Sequence, residues 1–207
     1  MTQILSVHPE NPQQRLLRQA AEAVRGGGVI VYPTDSCYAL GCHIGDKAAM
    51  ERICAIRDCD RNHHFTLVCR NLEEIGTYAK ISTSDFRLVK ALTPGPYTFL
   101  LPATKEVPRR LQNPKRRSIG MRVPDHRIAQ ALLAELNAPL MSCTLILPGE
   151  TAPLTSAEQA AERLRGRVDL VIDGGNCGTE PTTVIDLIGE VPQVVRPGKG
   201  PTEMLEA

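Results

Sequence analysis

Three kinds of side chain in this sequence could do chemistry: cysteines beside histidines, arginines in apolar runs, and hydroxyls in Pro- and Gly-rich turns. The seven cysteines are Cys37, Cys42, Cys54, Cys59, Cys69, Cys143 and Cys177. The densest segment is Cys59-Asp-Arg-Asn-His63-His64-Phe-Thr-Leu-Val-Cys69, with two Cys and two His in eleven positions. Its spacing fits no common zinc motif, and no CxxC occurs. Cys69 follows Phe65 to Val68, an apolar run of strand type. The expectation is no metal site and no activated thiol, with most cysteines acting as small buried hydrophobes in a reducing compartment. The first ten residues are polar and no stretch reaches membrane-spanning length, so a cytoplasmic protein is expected.

Arg122 interrupts the apolar run Ile119 to Val123, and Arg196 closes the run Val191 to Val195. A bare guanidinium in such a strand would be costly. A buried aspartate is one answer, and a bound phosphate or carboxylate is the other. Five polar turns border apolar runs: Tyr32 to Gly41, Thr93-Pro-Gly-Pro-Tyr-Thr98, Gly120-Met-Arg-Val-Pro-Asp-His126, Pro181-Thr-Thr183 and Val195-Arg-Pro-Gly198. In a mixed sheet such turns can converge on one cavity. Taken singly, each also reads as ordinary turn chemistry.

Charge is uneven along the chain. The 207 residues hold 24 basic and 23 acidic side chains, yet Lys105 to Arg127 carries eight basic against two acidic residues, a local charge of +6. Arg109, Arg110, Lys115, Arg116 and Arg117 are therefore candidate contacts for a polyanion, RNA or nucleotide phosphate. The other reading is a solvated loop neutralised from elsewhere in the fold. Three Phe, four Tyr and no Trp leave little material for a base-stacking platform. There is no P-loop, GxGxxG, GxSxG or HExxH. Gly26-Gly27-Gly28 precedes a strand and reads as a helix stop.

The elements that must position these residues alternate between helix and strand early and cluster as strands late. A helix is expected from Asn11-Pro12, with Leu16, Leu17, Ala20, Ala21 and Val24 on its inner face. Asp46 caps a second, carrying Met50, Ile53 and Cys54. Others are expected over Leu72 to Ala79, Ser84 to Leu92, Ile128 to Leu136 and Ser156 to Leu164. Strands are expected at Val29 to Tyr32, Phe65 to Cys69, Tyr97 to Leu101, Ile119 to Val123, Leu140 to Leu147, Val168 to Ile172, Thr183 to Leu187 and Val191 to Val195. The pattern predicts α/β architecture: one domain over residues 1–207, built on a mixed sheet with flanking helices.

Together, Tyr-Pro-Thr-Asp at 32–35, Thr-Pro-Gly-Pro-x-Thr at 93–98, Arg-Val-Pro-Asp-His at 122–126, Pro-Thr-Thr-Val-x-Asp at 181–186 and Arg-Pro-Gly at 196–198 resemble the YrdC-like family of threonylcarbamoyl-AMP synthases. Asn11 to Leu16, Lys105 to Leu111 and Ile119-Gly-Met-Arg-Val-Pro124 place the likeness nearest its bacterial YciO branch. The resemblance runs from about residue 11 to 198. It implies a twisted sheet with a basic concave face, and use of threonine, bicarbonate and ATP with Mg²⁺ as a substrate complex, releasing pyrophosphate. The product feeds threonylcarbamoyladenosine modification of tRNA, and the family is also associated with double-stranded RNA.

Carried over by motif, Thr34, Ser36 and Tyr38 fall on the substrate loop, joined by His64 and Thr144. Arg122, Thr182, Thr183 and Arg196 fall where the nucleotide is held, and Arg57, Arg122 and Arg196 are the expected catalytic cations. The chain departs from the pattern where active synthases carry Lys-x-Arg-Pro and Ser-x-Asn: here stand Arg57-Asp-Cys59-Asp60 and Thr144-Leu145-Ile146. These departures point to a weak or altered synthase activity, or to a non-catalytic nucleotide- or double-stranded-RNA-binding protein.

Overall fold

The computed structural model describes residues 2–59, 63 and 65–203. In chain order these form β1 (Gln3–Ser6), α1 (Gln14–Arg25), β2 (Ile30–Tyr32), β3 (Ala39–His43), α2 (Lys47–Arg57), β4 (Thr66–Val68), α3 (Leu72–Tyr78), α4 (Thr83–Leu92) and β5 (Tyr97–Pro102). A 3₁₀ turn (Arg109–Leu111), β6 (Ser118–Arg122), α5 (Arg127–Leu136), β7 (Leu140–Thr144), α6 (Ala157–Arg163), β8 (Leu170–Asp173), β9 (Thr183–Asp186) and β10 (Gln193–Arg196) follow. The ten strands make one mixed sheet in the order β1-β8-β2-β3-β7-β4-β6-β5-β9-β10. No helix among the described residues is long and apolar enough to cross a membrane.

The sheet separates two cores, and strand alternation assigns each residue to one of them. Ile30 and Tyr32 pack with Leu17, Ala20, Ala21 and Val24 of α1 and with Ile128, Leu132 and Leu136 of α5. Val29 and Val31 face the other way, toward Ile53 and Ile56 of α2 and Ala157 and Ala160 of α6. Val29 to Tyr32 is fully buried because helices cover the sheet on both sides here. The α1–α5 layer stops short of the far strands. Over β7, β4, β6, β5 and β9 the same face is open, and that open half holds the cavity described below.

The helix caps follow local chemistry. Asp46, Asn71, Ser82 and Ser156 each accept a hydrogen bond from a first-turn N–H. At the end of α1, Gly27 adopts φ +84°, the left-handed conformation that ends the helix at little steric cost.

The expected start of α1 is corrected. Asn11 does not cap it and Pro12 does not open it; the helix begins at Gln14. The His8 imidazole accepts from the backbone N–H groups of Glu10 and Asn11, holding residues 8–11 in a turn of their own. Leu16 is only half-buried, at the margin of the inner face. Two strands, β1 and β3, fall where none was expected, and the strand expected to reach Leu147 stops at Thr144.

Candidate functional site

The open half of the sheet forms the floor of a cavity of about 550 Å³, within the range of small-molecule sites. Its floor comes from one alternation phase of six adjacent strands, β3, β7, β4, β6, β5 and β9. Thr66 pairs with Gly120 on one side and Ser142 on the other, Ala39 pairs with Thr144, and Thr98 pairs with Val184. These side chains are short, so the sheet stays concave where longer ones would fill it. Gly120 is needed at the centre. A Cβ there would lie 2.8 Å from Thr66 Oγ1 and 3.0 Å from the Phe65 carbonyl oxygen. Tyr32 braces the floor from the side, where the α1–α5 layer ends: its hydroxyl lies 2.7 Å from Ser142 Oγ, which in turn donates to the Leu40 carbonyl.

One wall is the loop after β2. Thr34 Oγ1 accepts from the N–H groups of Ser36 and Cys37 and donates to the Cys37 carbonyl, folding the loop into a tight turn. Arg122, the last residue of β6, reaches under it. Its Nη2 donates to Asp35 Oδ1, to Ser36 Oγ at 3.0 Å and weakly to Thr34 Oγ1 at 3.4 Å. The side chains of Arg122 and Asp35 are only 8% and 12% exposed, so this is an interior ion pair. Arg122 Nε and Asp35 Oδ2 are buried without a hydrogen-bond partner. A buried aspartate is thus one answer to the charge of Arg122, while the arginine still borders the cavity.

A second wall brings together two of the sequence motifs. Arg196 ends β10 and donates from Nη2 to the carbonyl oxygen and Oγ1 of Thr182. Thr182 Oγ1 also lies 2.9 Å from Thr98 Oγ1. All four residues of β10 are solvent-exposed, which corrects the expectation of an apolar strand burying Arg196. Its guanidinium nevertheless borders the cavity, and the protein packed around it lowers its pKa through partial desolvation. Among the described residues, no carboxylate pairs with Arg196.

Gly198 explains why Arg-Pro-Gly and Pro-Thr-Thr meet. A Cβ at this position would sit 2.4 Å from the Pro181 carbonyl oxygen and 2.7 Å from Thr182 backbone atoms. Backbone atoms cannot swing aside as a flexible side chain would. Gly198→Ala is therefore expected to cost about 1–3 kcal/mol of stability by overpacking. It is also expected to push Arg196 out of place, measurable as a lower melting temperature together with weaker nucleotide binding.

The third wall carries the residues at which the chain departs from the synthase pattern. Arg57, at the end of α2, donates to the Ile146 carbonyl, and its Nε is buried without a partner. Thr144 and Ile146 border the cavity beside it. Cys59 follows the left-handed cap residue Asp58, and its N–H donates to the Cys54 carbonyl. Its thiol does not border the cavity; it groups with His63 and Cys143. A hydrogen bond with Cys143 lowers the Cys59 pKa, against the raising effect of burial, and His63 and Arg57 add to the lowering. The same contact and burial push the Cys143 thiol up.

Two findings about the cysteines go beyond the expectation. The hydrogen bond with Cys143 favours the thiolate of Cys59. The Cys–His cluster does not include Cys69, which is buried with its thiol directed at the Leu67 carbonyl. Cys143, from a distant strand, takes that place.

The other expected site residues divide. Ser36, Arg57, Arg122, Thr144, Thr182 and Arg196 all border the cavity. Tyr38 does not: it is fully buried and its hydroxyl donates to the Gly175 carbonyl. Thr183 is also fully buried, donating to the Gly200 carbonyl, while Thr34 acts through the turn it holds. His64 lies outside the described residues.

Of the five basic residues expected to meet RNA, Arg116 turns into the cavity and pairs with Asp186 through both terminal nitrogens. Asn113 Oδ1 sets this up by accepting from the N–H groups of Lys115 and Arg116. Arg110 donates to the carbonyls of Ile44 and Gly45. Arg109 and Arg117 flank a second, shallower hollow with Lys105, and Lys115 is exposed. Sequence reasoning missed Arg116 and Asp186 as cavity residues, and it also missed Ser142 and Cys143; Thr98 lies in one of the turns expected to converge on a cavity, and it does border this one.

The comparisons with known proteins decide the family. The Sua5/YciO/YrdC family profile, described as "Telomere recombination", matches residues 22–198. This chain belongs to that family. It is 57% identical over 200 residues to the uncharacterised protein YciO of Escherichia coli K12, covering 97% of each chain. It is 32% identical over 209 residues to the threonylcarbamoyl-AMP synthase of Pyrococcus abyssi, covering all of this chain and 60% of the synthase. The crystal structure of E. coli YciO superposes with a TM-score of 0.96 at 56% identity, covering 99% of this chain and all of that one. That of P. abyssi Sua5 complexed with L-threonine gives 0.91 at 31%, covering 99% of this chain and 60% of that one. The mixed sheet is thus that of the Sua5/YciO/YrdC fold.

Proposed function

We propose that the cavity binds ATP and threonine and forms threonylcarbamoyl-AMP from threonine, bicarbonate and ATP, at a rate reduced by the altered third wall. The observation that carries this reading is Arg196. It is a guanidinium bordering a small-molecule-sized cavity, and among the described residues its hydrogen bonds go to Thr182 alone; the Arg122 guanidinium, paired with Asp35, borders the same cavity. A cation without a carboxylate partner at such a cavity suits a phosphate group.

In the reaction, the threonine amine and bicarbonate first give a carbamate with loss of water. A carbamate oxygen then attacks the α-phosphorus, a new P–O bond forms, and the bond to pyrophosphate breaks. Charge spreads over the transferred phosphoryl and the leaving group, where preplaced guanidinium groups lower the barrier. No covalent enzyme intermediate is required. The two carboxylates nearest the cavity, Asp35 and Asp186, are each held by an arginine. Mg²⁺ therefore enters as part of the ATP substrate.

The test is pyrophosphate release by the purified chain. Release is expected to require ATP, threonine and bicarbonate together, and to fall about 10- to 100-fold in Arg196→Ala, the loss of one charge-assisted contact. Background release by the parent chain would overturn the synthase reading. Tight ATP binding without turnover would leave a nucleotide-binding protein in its place.

A further inference from the structure

We propose that Cys59, His63 and Cys143 form a binding site for a thiophilic divalent cation of the zinc class, with an open position on the cavity side. The ligand atoms of these three residues all lie within 4.8 Å of one another. Cys143 Sγ and His63 Nε2 are 3.4 Å apart. In a tetrahedral zinc site, bonds of about 2.3 Å to sulfur and about 2.0 Å to nitrogen give S···N edges of about 3.5 Å and S···S edges of about 3.8 Å. The Cys143–His63 edge already has the tetrahedral length, and the other two edges are no longer than 4.8 Å.

The donor set fixes the class of ion. Two sulfurs and an imidazole favour zinc and similar soft or borderline ions, and they disfavour Mg²⁺ and Ca²⁺, which take oxygen. Two thiolates balance the charge of a divalent cation. The scaffold restrains all three ligands. Cys143 is buried on β7, one residue past the last β4–β7 pair, Thr66 with Ser142. Cys59 is pinned by its N–H bond to the Cys54 carbonyl. His63 lies edge-on to the buried Phe65 ring, with centroids 5.3 Å apart.

Three protein ligands leave one vertex for water or substrate, as in catalytic rather than structural zinc sites. His63 and Cys143 border the cavity beside Thr144 and Ile146, which gives water or a ligand a route to the open vertex. An oxygen of a bound ligand or a water completes the coordination. The proposal stands apart from the synthase reading, since it needs no turnover.

The test uses the full-length chain, reduced and stripped with a chelator, then titrated with Co²⁺ and with Zn²⁺. One equivalent of Co²⁺ is expected to give the visible and sulfur-to-metal charge-transfer bands of a tetrahedral thiolate site, and Zn²⁺ is expected to displace it. One equivalent of Zn²⁺ is also expected to protect Cys59 from alkylation by iodoacetamide. Cys59→Ser, Cys143→Ser and His63→Ala should each lose the charge-transfer bands or shift them, while Cys177→Ser should keep them. Cys143 is buried and its variant could fail to fold, so His63→Ala and Cys59→Ser, at half-exposed positions, carry the test alone if needed. Absence of the bands in the reduced parent chain would overturn the proposal. So would their persistence in Cys59→Ser, or a reduced chain that binds neither ion and forms a Cys59–Cys143 disulfide in air.

Discussion

Arg122→Ala is expected to unfold about 3–5 kcal/mol more easily than the parent chain, because removing one member of an interior ion pair leaves the other charge buried alone. For a chain of this size that corresponds to a fall in melting temperature of about 6–20 °C. Asp35 would be the stranded group; its side chain is 12% exposed and already has one oxygen without a partner. Nucleotide binding should be lost as well, since Ser36 and the loop it lies on lose their anchor. The two effects are separable. A double variant, Arg122→Met with Asp35→Leu, removes both charges and should regain much of the stability while still failing to bind nucleotide. Thermal melting and ATP titration of the pair decide it. Full stability and unchanged affinity in Arg122→Ala would show that the pair is idle.

Combining Cys59→Arg with Ile146→Asn is expected to raise the rate of threonine-dependent pyrophosphate release by about 100-fold or more. Each restored hydrogen bond to a charged group contributes about 1.5–3 kcal/mol, and two together correspond to about two to four orders of magnitude. The structure supports the placement at Ile146, whose side chain borders the cavity and whose carbonyl accepts from Arg57. Arg57 itself leaves Nε unbonded, so this wall has donors but lacks acceptors, and an asparagine carbonyl supplies one. Because Cys59→Arg also removes a thiol from the Cys–His cluster, Cys59→Ser with Ile146→Asn is the necessary companion. Equal gains in both double variants would assign the effect to loss of the thiol instead of to the new guanidinium.

Much of the fold was legible because most strands and helices announce themselves by periodicity and caps. β2, β5 and β6 read as apolar runs, and Asp46 and Ser156 mark their helices. β1 and β3 escaped because Gln3-Ile-Leu-Ser6 is short and mostly exposed, while Ala39-Leu-Gly-Cys-His43 lacks β-branched residues. The site was legible at the level of motifs and less so at single residues. Neighbours within a motif face opposite ways: Thr182 enters the cavity and Thr183 the core. Tyr38 looked like a substrate contact and serves as a core hydrogen bond. The Cys–His cluster was invisible in linear spacing because its third member arrives from β7 through strand pairing.

The position of β10 has a consequence for the timing of ligand exchange. It is the outermost strand, paired only with β9, fully exposed, and irregular in register between Val194 and Arg196. Such edges open locally at a free-energy cost well below that of global unfolding. On the proposed reading of the cavity, opening of this one strand would carry the Arg196 guanidinium away from a bound phosphate, while Arg122 stays held by Asp35. One side of the site is then a fixed reference and the other a fraying margin, and ligand release is expected to be coupled to opening of the sheet edge.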